Sequence, residues 1–391
     1  MKEALHLLKN LVAIPSAYFE DENIISYFKE CFDTLGIPSE RSSFHEAEIT
    51  DFKGSNILLR IEGSQPGPTL CINAHVDTVK PSNGWTRHPW GEEVEGRFYG
   101  IGSLDMKAGV ASAMLAAEAL YKRKSEMNGT LLITLVIGEE GPFGLGTDHV
   151  INSGFLEDVD YSVVTEPSAG FNGVSFPDLC LGARGGYGLS VHLKGRSSHA
   201  ATPELGISAA DDAARFMVAL QSLEHREDEL LGHSTPTVIQ MHADGGACST
   251  PESAVVTLFW HTVRGETPST IEETIQRLVK SAKINSEVQV RFRESPSPQT
   301  RGFDPYVVDG DDPYTVLLRD TIKDITGKEA RLSYFKSIGD FNYLGTRVGA
   351  PCVIFGAMGS NFHGPDEYVL LDSFYQSTEI LIAFLERLFI A

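Results

Sequence analysis

Positive charge, cysteine and long apolar runs are all scarce in this chain of 391 residues, and each shortage removes a class of function. Lys and Arg total 32 against 53 Asp and Glu, a net charge of −21. A surface of that sign repels phosphate backbones and anionic lipid unless basic residues gather locally, and no stretch supplies such a patch. Neither nucleic acid nor a membrane is therefore expected as a partner. The apolar run Leu131 to Ile137, broken only by Thr134, is far shorter than the roughly 20 residues a membrane-spanning helix requires. The five cysteines (Cys31, Cys71, Cys180, Cys248, Cys352) are odd in number, scattered and without a C-x-x-C pair. That spacing builds no disulfide framework and points to a reducing compartment, the cytoplasm. The opening segment, with Leu5, Leu8 and Val12 on one stripe, reads as an amphipathic helix and lacks the cationic start and cleavage site of an export signal.

Internal repeats are missing too, as are the Gly-x-Ser-x-Gly elbow, a full G-x-G-x-x-G fingerprint and a P-loop, which disfavours serine-hydrolase and nucleotide chemistry. What the sequence does contain is 42% hydrophobic residues, enough for more than one buried core. Periodicity predicts helices near residues 1–12, 20–35 and 107–122, with strands at Ser55 to Ile61, Thr69 to Asn73, Leu131 to Ile137 and Tyr161 to Val164. That alternation is α/β in class. From about residue 184 the order becomes strand, helix, strand, strand, helix, strand, which is the ferredoxin-like arrangement. It runs to Ser295-Pro296-Ser297-Pro298, a segment suited to a linker. A helix at Pro313 to Thr326, a strand at Cys352 to Phe355 and a closing helix follow. The expected organisation is one α/β domain split into 1–183 and 297–391, with a smaller domain, 184–296, inserted.

Ligands of open α/β sheets gather at the carboxyl ends of strands. There the sequence delivers His75 and Asp77, Asp105, Glu139 and Glu140, Glu166 and His363 in turn. So many converging carboxylates repel one another unless cations sit among them, and few Lys or Arg are near. Mixed imidazole and carboxylate ligation without thiolates suits Zn²⁺, with Co²⁺ or Mn²⁺ as alternatives.

The segments Ala74-His75-Val76-Asp77-Thr78-Val79, Gly102 to Gly109, Gly138-Glu139-Glu140-Gly141, Glu166-Pro167-Ser168 and Phe362-His363-Gly364-Pro365-Asp366-Glu367 resemble, in order and spacing, the dizinc family of acetylornithine deacetylase, succinyl-diaminopimelate desuccinylase, aminoacylase and glutamate carboxypeptidase. The resemblance implies a zinc-peptidase-like catalytic domain, with a mixed sheet flanked by helices, interrupted by a ferredoxin-like lid and dimerisation domain. It implies two Zn²⁺ ions about 3.5–4 Å apart: Asp105 bridges them, His75 and Glu166 complete one, Glu140 and His363 the other. Asp77, two residues past His75, is expected to fix the tautomer of that ring. Glu139, left free, becomes the general base. Within Gly195-Arg196-Ser197-Ser198-His199-Ala200, which looks like the family's lid motif, His199 is the implied oxyanion donor, often reaching across a homodimer.

Asp340 stands where relatives carry a Gly-Asp element near the substrate, and equally suits a helix N-cap. Cys248 replaces a common Asn, Ile101 a common Arg, and the usual Asp-x-Arg-x-x-Pro element reads Trp260-His261-Thr262-Val263-Arg264-Gly265-Glu266-Thr267-Pro268. Arg264 or His261 is then the candidate for gripping a substrate carboxylate. The function implied is hydrolysis of an N-acylated amino acid or related small amide, acetylornithine-type deacetylation first, with a dipeptidase or carboxypeptidase, or a non-catalytic metal or ligand-binding relative, as alternatives.

Overall fold

The computed structural model describes residues 2–20, 22–169 and 173–390; Met1 and Asp21, which fall in the expected first two helices, lie outside them. The chain divides into two compact units, Met1–Ala183 with Tyr306–Ala391, and Arg184–Pro305.

The first unit is built on a nine-stranded mixed sheet. Its centre is four neighbouring parallel strands, in the order Asn128–Val136, Gln65–His75, Tyr161–Val164 and Cys352–Ile354. Leu70, Ile72, Leu131, Ile133, Val163 and Val353 on these strands are buried, as strands covered on both faces must be. Helices Lys107–Lys122 and Leu371–Phe389 supply part of that cover, linked by a hydrogen bond between the Ser112 and Thr378 hydroxyls at 2.8 Å. Outside the centre, Phe52–Glu62 and Glu40–Glu46 extend one side antiparallel. Asp178–Ala183 continues the other side, flanked by Arg331–Phe335 and by Tyr306–Val307, which sets Tyr306 opposite Ala183. The strand ahead of Asp105, Arg97–Tyr99, belongs to a small four-stranded sheet with Glu92–Val94, Tyr368–Leu370 and Gly359–Ser360. At Gly102, with φ +69°, a Cβ would lie 2.4 Å from the Thr78 methyl; only glycine permits that turn before Asp105.

The second unit holds Gly185–Lys194, helix Ala209–Gln221, Thr235–Ala243, Ser253–Thr262, helix Pro268–Ser281 and Glu287–Phe292. Its sheet runs Thr235–Ala243, Ser253–Thr262, Gly185–Lys194, Glu287–Phe292, the ferredoxin-like order. A separate core of Leu189, Val191, Phe216, Val256, Trp260 and Ile275 fills it. The unit continues beyond the proline-rich segment: Ser297 caps a single turn, Pro298–Thr300, and Gly302–Phe303 then pairs with Tyr187 and Gly186. The chain therefore returns to the first unit at Tyr306, not near residue 297, because the prolines shape a turn and an added strand uses the residues after it. No helix among the described residues is long and apolar enough to cross a membrane.

Candidate metal centre

His75 is the last residue of its strand. Glu139 and Glu140 follow Asn128–Val136 through Gly138, whose φ of +78° a glycine adopts without strain. Glu166 comes just after Tyr161–Val164. His363 lies in the loop between Gly359–Ser360 and Tyr368–Leu370, and Asp105 in the turn before helix Lys107–Lys122.

These side chains meet. His75 Nε2 is 3.1 Å from Glu166 Oε1 and 3.2 Å from Asp105 Oδ1. His363 Nε2 is 3.3 Å from Asp105 Oδ2 and 3.1 Å from Glu140 Oε2. One carboxylate, Asp105, thus presents an oxygen to each of two donor sets. Glu139 Oε2 stands farther off, 3.9 Å from His75 Nε2. By proximity alone, His75 with Asp105 and Glu140, or with Glu139 and Glu166, could also hold an ion.

The electrostatics are those of a site with too little positive charge. Burial, then the charge of Asp105, pushes Glu166 up to about 7. Burial, then neighbouring Asp340, Glu166 and Glu140, raises Glu139 well above the usual carboxylate range. Hydrogen bonds to Asp105 and Glu140 push His363 up to about 11. Burial disfavours a charged His75, yet Glu166, Asp105 and Glu139 outweigh it and hold its pKa well above normal. Among the described residues, the ion-pair partners of these carboxylates are histidines, never Lys or Arg. Glu140 Oε1 is buried with no hydrogen-bond partner. Oxygen and imidazole donors in two sets about a shared carboxylate, one oxygen orphaned, fit a pair of divalent cations of the zinc type. His75, Asp105, Glu140, Glu166 and His363 are the residues that would hold them.

The Asp77 carboxylate does something other than the sequence suggests. The contact to His75 Nδ1 comes from the Asp77 backbone carbonyl, at 3.0 Å, with the carboxylate 3.7 Å away. That carboxylate instead accepts from the backbone N–H groups of Glu140 at 3.0 Å and Glu139 at 3.4 Å. It therefore aims the Glu139-Glu140 pair.

Two supporting residues lie inside the recognised motifs but carry no signal of their role. Buried Glu367 accepts from the N–H groups of Gly102, Leu104 and Asp105 at 3.1, 2.9 and 3.1 Å, so the loop bearing His363 also fixes the loop bearing Asp105. Buried Lys107 donates to the carbonyls of Leu11 and Ile14 at 3.0 and 2.8 Å, and is thereby removed from the carboxylate cluster.

Other expected residues are placed elsewhere. Asp340 is the first residue of helix Asp340–Arg347, after the N-cap Gly339. It is buried and accepts from the Thr147 hydroxyl at 2.7 Å, and its charge helps to raise Glu139. Arg264, in the second unit, grips Asp228 at 2.7 and 3.1 Å; a bidentate partner already fills its fork. His261 lies near the end of strand Ser253–Thr262 and is half-buried. His199 is exposed on a loop of the second unit, with its Nδ1 accepting from Ala201 N at 3.1 Å.

Comparison with known proteins identifies the family and the fold. The chain is similar to the succinyl-diaminopimelate desuccinylases of Gluconobacter oxydans, 29% identical over 82% of this chain and 81% of that one, and Gluconacetobacter diazotrophicus, 26% identical over 98% and 97%. Its fold is similar to that of a tripeptidase from Staphylococcus aureus, with a TM-score of 0.79, 18% identity and coverage of 99% and 98%. An M20 family metallo-carboxypeptidase from Sulfolobus solfataricus gives 0.77 at 18% identity, with 99% of each chain covered. The family model for peptidase family M20/M25/M40 matches residues 71–387, a span that contains every residue of the donor cluster, and the chain therefore belongs to this family of metal-dependent amide hydrolases.

Proposed function

We propose that the protein hydrolyses the amide bond of a small N-acylated amino acid, with acetylornithine-type deacetylation the first case to test and Zn²⁺ as the working metal at both donor sets. The observation that supports this most is the position of Glu139: it lies beside the His75 set, 3.9 Å from His75 Nε2 where Glu166 and Asp105 lie at 3.1 and 3.2 Å. A carboxylate close to the ligands but outside their closest contacts is what a proton shuttle requires. Divalent ions in the two sets would lower the pKa of a water toward roughly 7 and polarise the amide carbonyl. Glu139 accepts the proton of the attacking water and returns it to the departing nitrogen. Asp77 holds the backbone that carries Glu139 in place. Oxyanion stabilisation by His199 rests on its sequence motif.

The assembly we propose is a homodimer formed through Thr235–Ala243, the edge strand of the second unit. Ile239 and Met241 on it are 62% and 46% exposed, and an open, apolar edge invites pairing. A cytoplasmic setting is supported by five cysteines that are all free.

The test is amine release from N-acetyl, N-formyl and N-succinyl amino acids and from dipeptides, with Zn²⁺ or Co²⁺ supplied; cleavage of dipeptides alone would make the enzyme a dipeptidase. Glu139→Gln keeps the size of the side chain and removes its basicity. The variant is expected to retain its metal and turn over at least about a hundredfold more slowly. Loss of metal in Glu139→Gln would exchange the roles of Glu139 and Glu140, and near-normal kcat at full occupancy would assign the proton to another group.

A further inference from the structure

Beside the donor cluster lies a cavity of about 230 Å³, below the roughly 300–1,000 Å³ of a pocket that encloses a whole small ligand. It has room for one substituent of a substrate. The donor carboxylates and His363 line it together with Pro167, Phe335, Ser337, Ile338, Phe341 and Phe362. Phe335 and Phe341 are buried and meet edge to face, with ring centroids 5.0 Å apart. No Lys or Arg among the described residues lines this cavity. Lys336, between Phe335 and Ser337 in the chain, is exposed and outside the lining.

A carboxylate-bearing substituent placed here would lose its hydration against aromatic walls, with no Lys or Arg and only the Ser337 hydroxyl to bond. Burial of an unpaired charge is unfavourable by a wide margin. A branched aliphatic or phenyl group has the opposite balance, since it removes apolar surface from water against rings that pack well around it. We infer that the substrate carries an uncharged apolar substituent next to the scissile amide, and that this enzyme discriminates against the succinyl group of the desuccinylases it resembles. This rests on the amide-hydrolase reading and sharpens its substrate class.

Two arms locate the substituent. On the acyl side, the zinc-loaded enzyme is given isovaleryl-, phenylacetyl- and succinyl-glycine; on the amine side, N-acetyl-leucine, -phenylalanine, -aspartate and -lysine. Apolar members are expected to exceed charged ones in kcat/KM by at least about tenfold in one arm, the scale on which hydrophobic pockets discriminate. Binding of isovaleryl, phenylacetyl and succinyl hydroxamates, followed by calorimetry, ranks the same groups without turnover and is expected to favour the apolar pair by a similar factor. If no amide is cleaved, the hydrolase reading fails and the binding order still decides this one. Preference for the charged members in both arms overturns the inference. Ile338→Arg is expected to lower the apolar preference at least about tenfold and Ile338→Ala severalfold, with metal content checking that each variant is folded; an unchanged order in both also overturns it.

Discussion

Glu367 shows how much of the site depends on a buried residue that is not itself one of the converging donors. Its carboxylate collects N–H groups of Gly102, Leu104 and Asp105, and no hydrogen-bond donor side chain could replace it without turning donor toward donor. Glu367→Gln keeps one acceptor and sets an amide N–H against the backbone N–H groups. The variant is expected to bind zinc about 10 to 100 times more weakly while staying folded, measured by competition with a chromogenic chelator; unchanged affinity would show that Asp105 holds its place without this anchor. Protonation gives a second expectation. Glu166 and His363, held at about 7 and about 11 without cations, carry protons near neutral pH that must leave when a cation is bound. Affinity should therefore fall as pH drops from 8 to 6, where Glu166 takes up its proton, and an indicator dye should record proton release on zinc addition. Binding that is independent of pH with no protons released would contradict the shared-cluster electrostatics. The convergence of His75, Asp105, Glu140, Glu166 and His363 was legible in the sequence because these residues fall in motifs of characteristic order. The anchors were not, because Glu367 and Asp77 act on backbone groups, which leave no trace in side-chain identity. Nor does the sequence announce the partners of Arg264 and Asp340: Asp228 and Thr147, which engage them, are distant in the chain and belong to no motif.

Elements differ in how openly they announce themselves. The central strands are apolar along their length and appear where periodicity places them, extended by a few residues where the sheet continues. Glu40–Glu46, with the sequence ERSSFHE, was missed because it is a hydrophilic edge strand exposed on alternate residues, which resembles a loop in composition. Arg331–Phe335 escaped similarly, its first two residues being exposed. The other notable edge is Thr235–Ala243, where apolar side chains face outward. Ile239→Lys places a charge on it, a device that natural sheets use to block pairing. The variant is expected to shift from dimer to monomer by light scattering with its metal content intact. A wild-type chain that is already monomeric at working concentration would remove the proposed interface.

At the scale of the molecule, the surplus of acid over base has two parts that serve different ends. Most of it is spread over the surface, and a small share, Asp77, Glu139, Glu140 and Glu166, is gathered just past the carboxyl ends of three neighbouring parallel strands. The division into units was readable from the change of rhythm near residue 184. Its far limit was not, since Gly302–Phe303 is too short to stand out in sequence and is defined only by its pairing with Gly186 and Tyr187.

Tyr306 faces Ala183 across an antiparallel pair, and this register makes the insertion removable by gene surgery. A two-residue Asn-Gly link between Ala183 and Tyr306 would close an ordinary tight hairpin, leaving a shortened chain in which His75, Asp105, Glu140, Glu166 and His363 are all retained. Such a miniature should load zinc as the parent does while losing the edge strand for pairing and the His199 loop. Elemental analysis and light scattering on it would separate metal capture from assembly, and a miniature that folds without metal would mean that the excised segment helps to organise the donors.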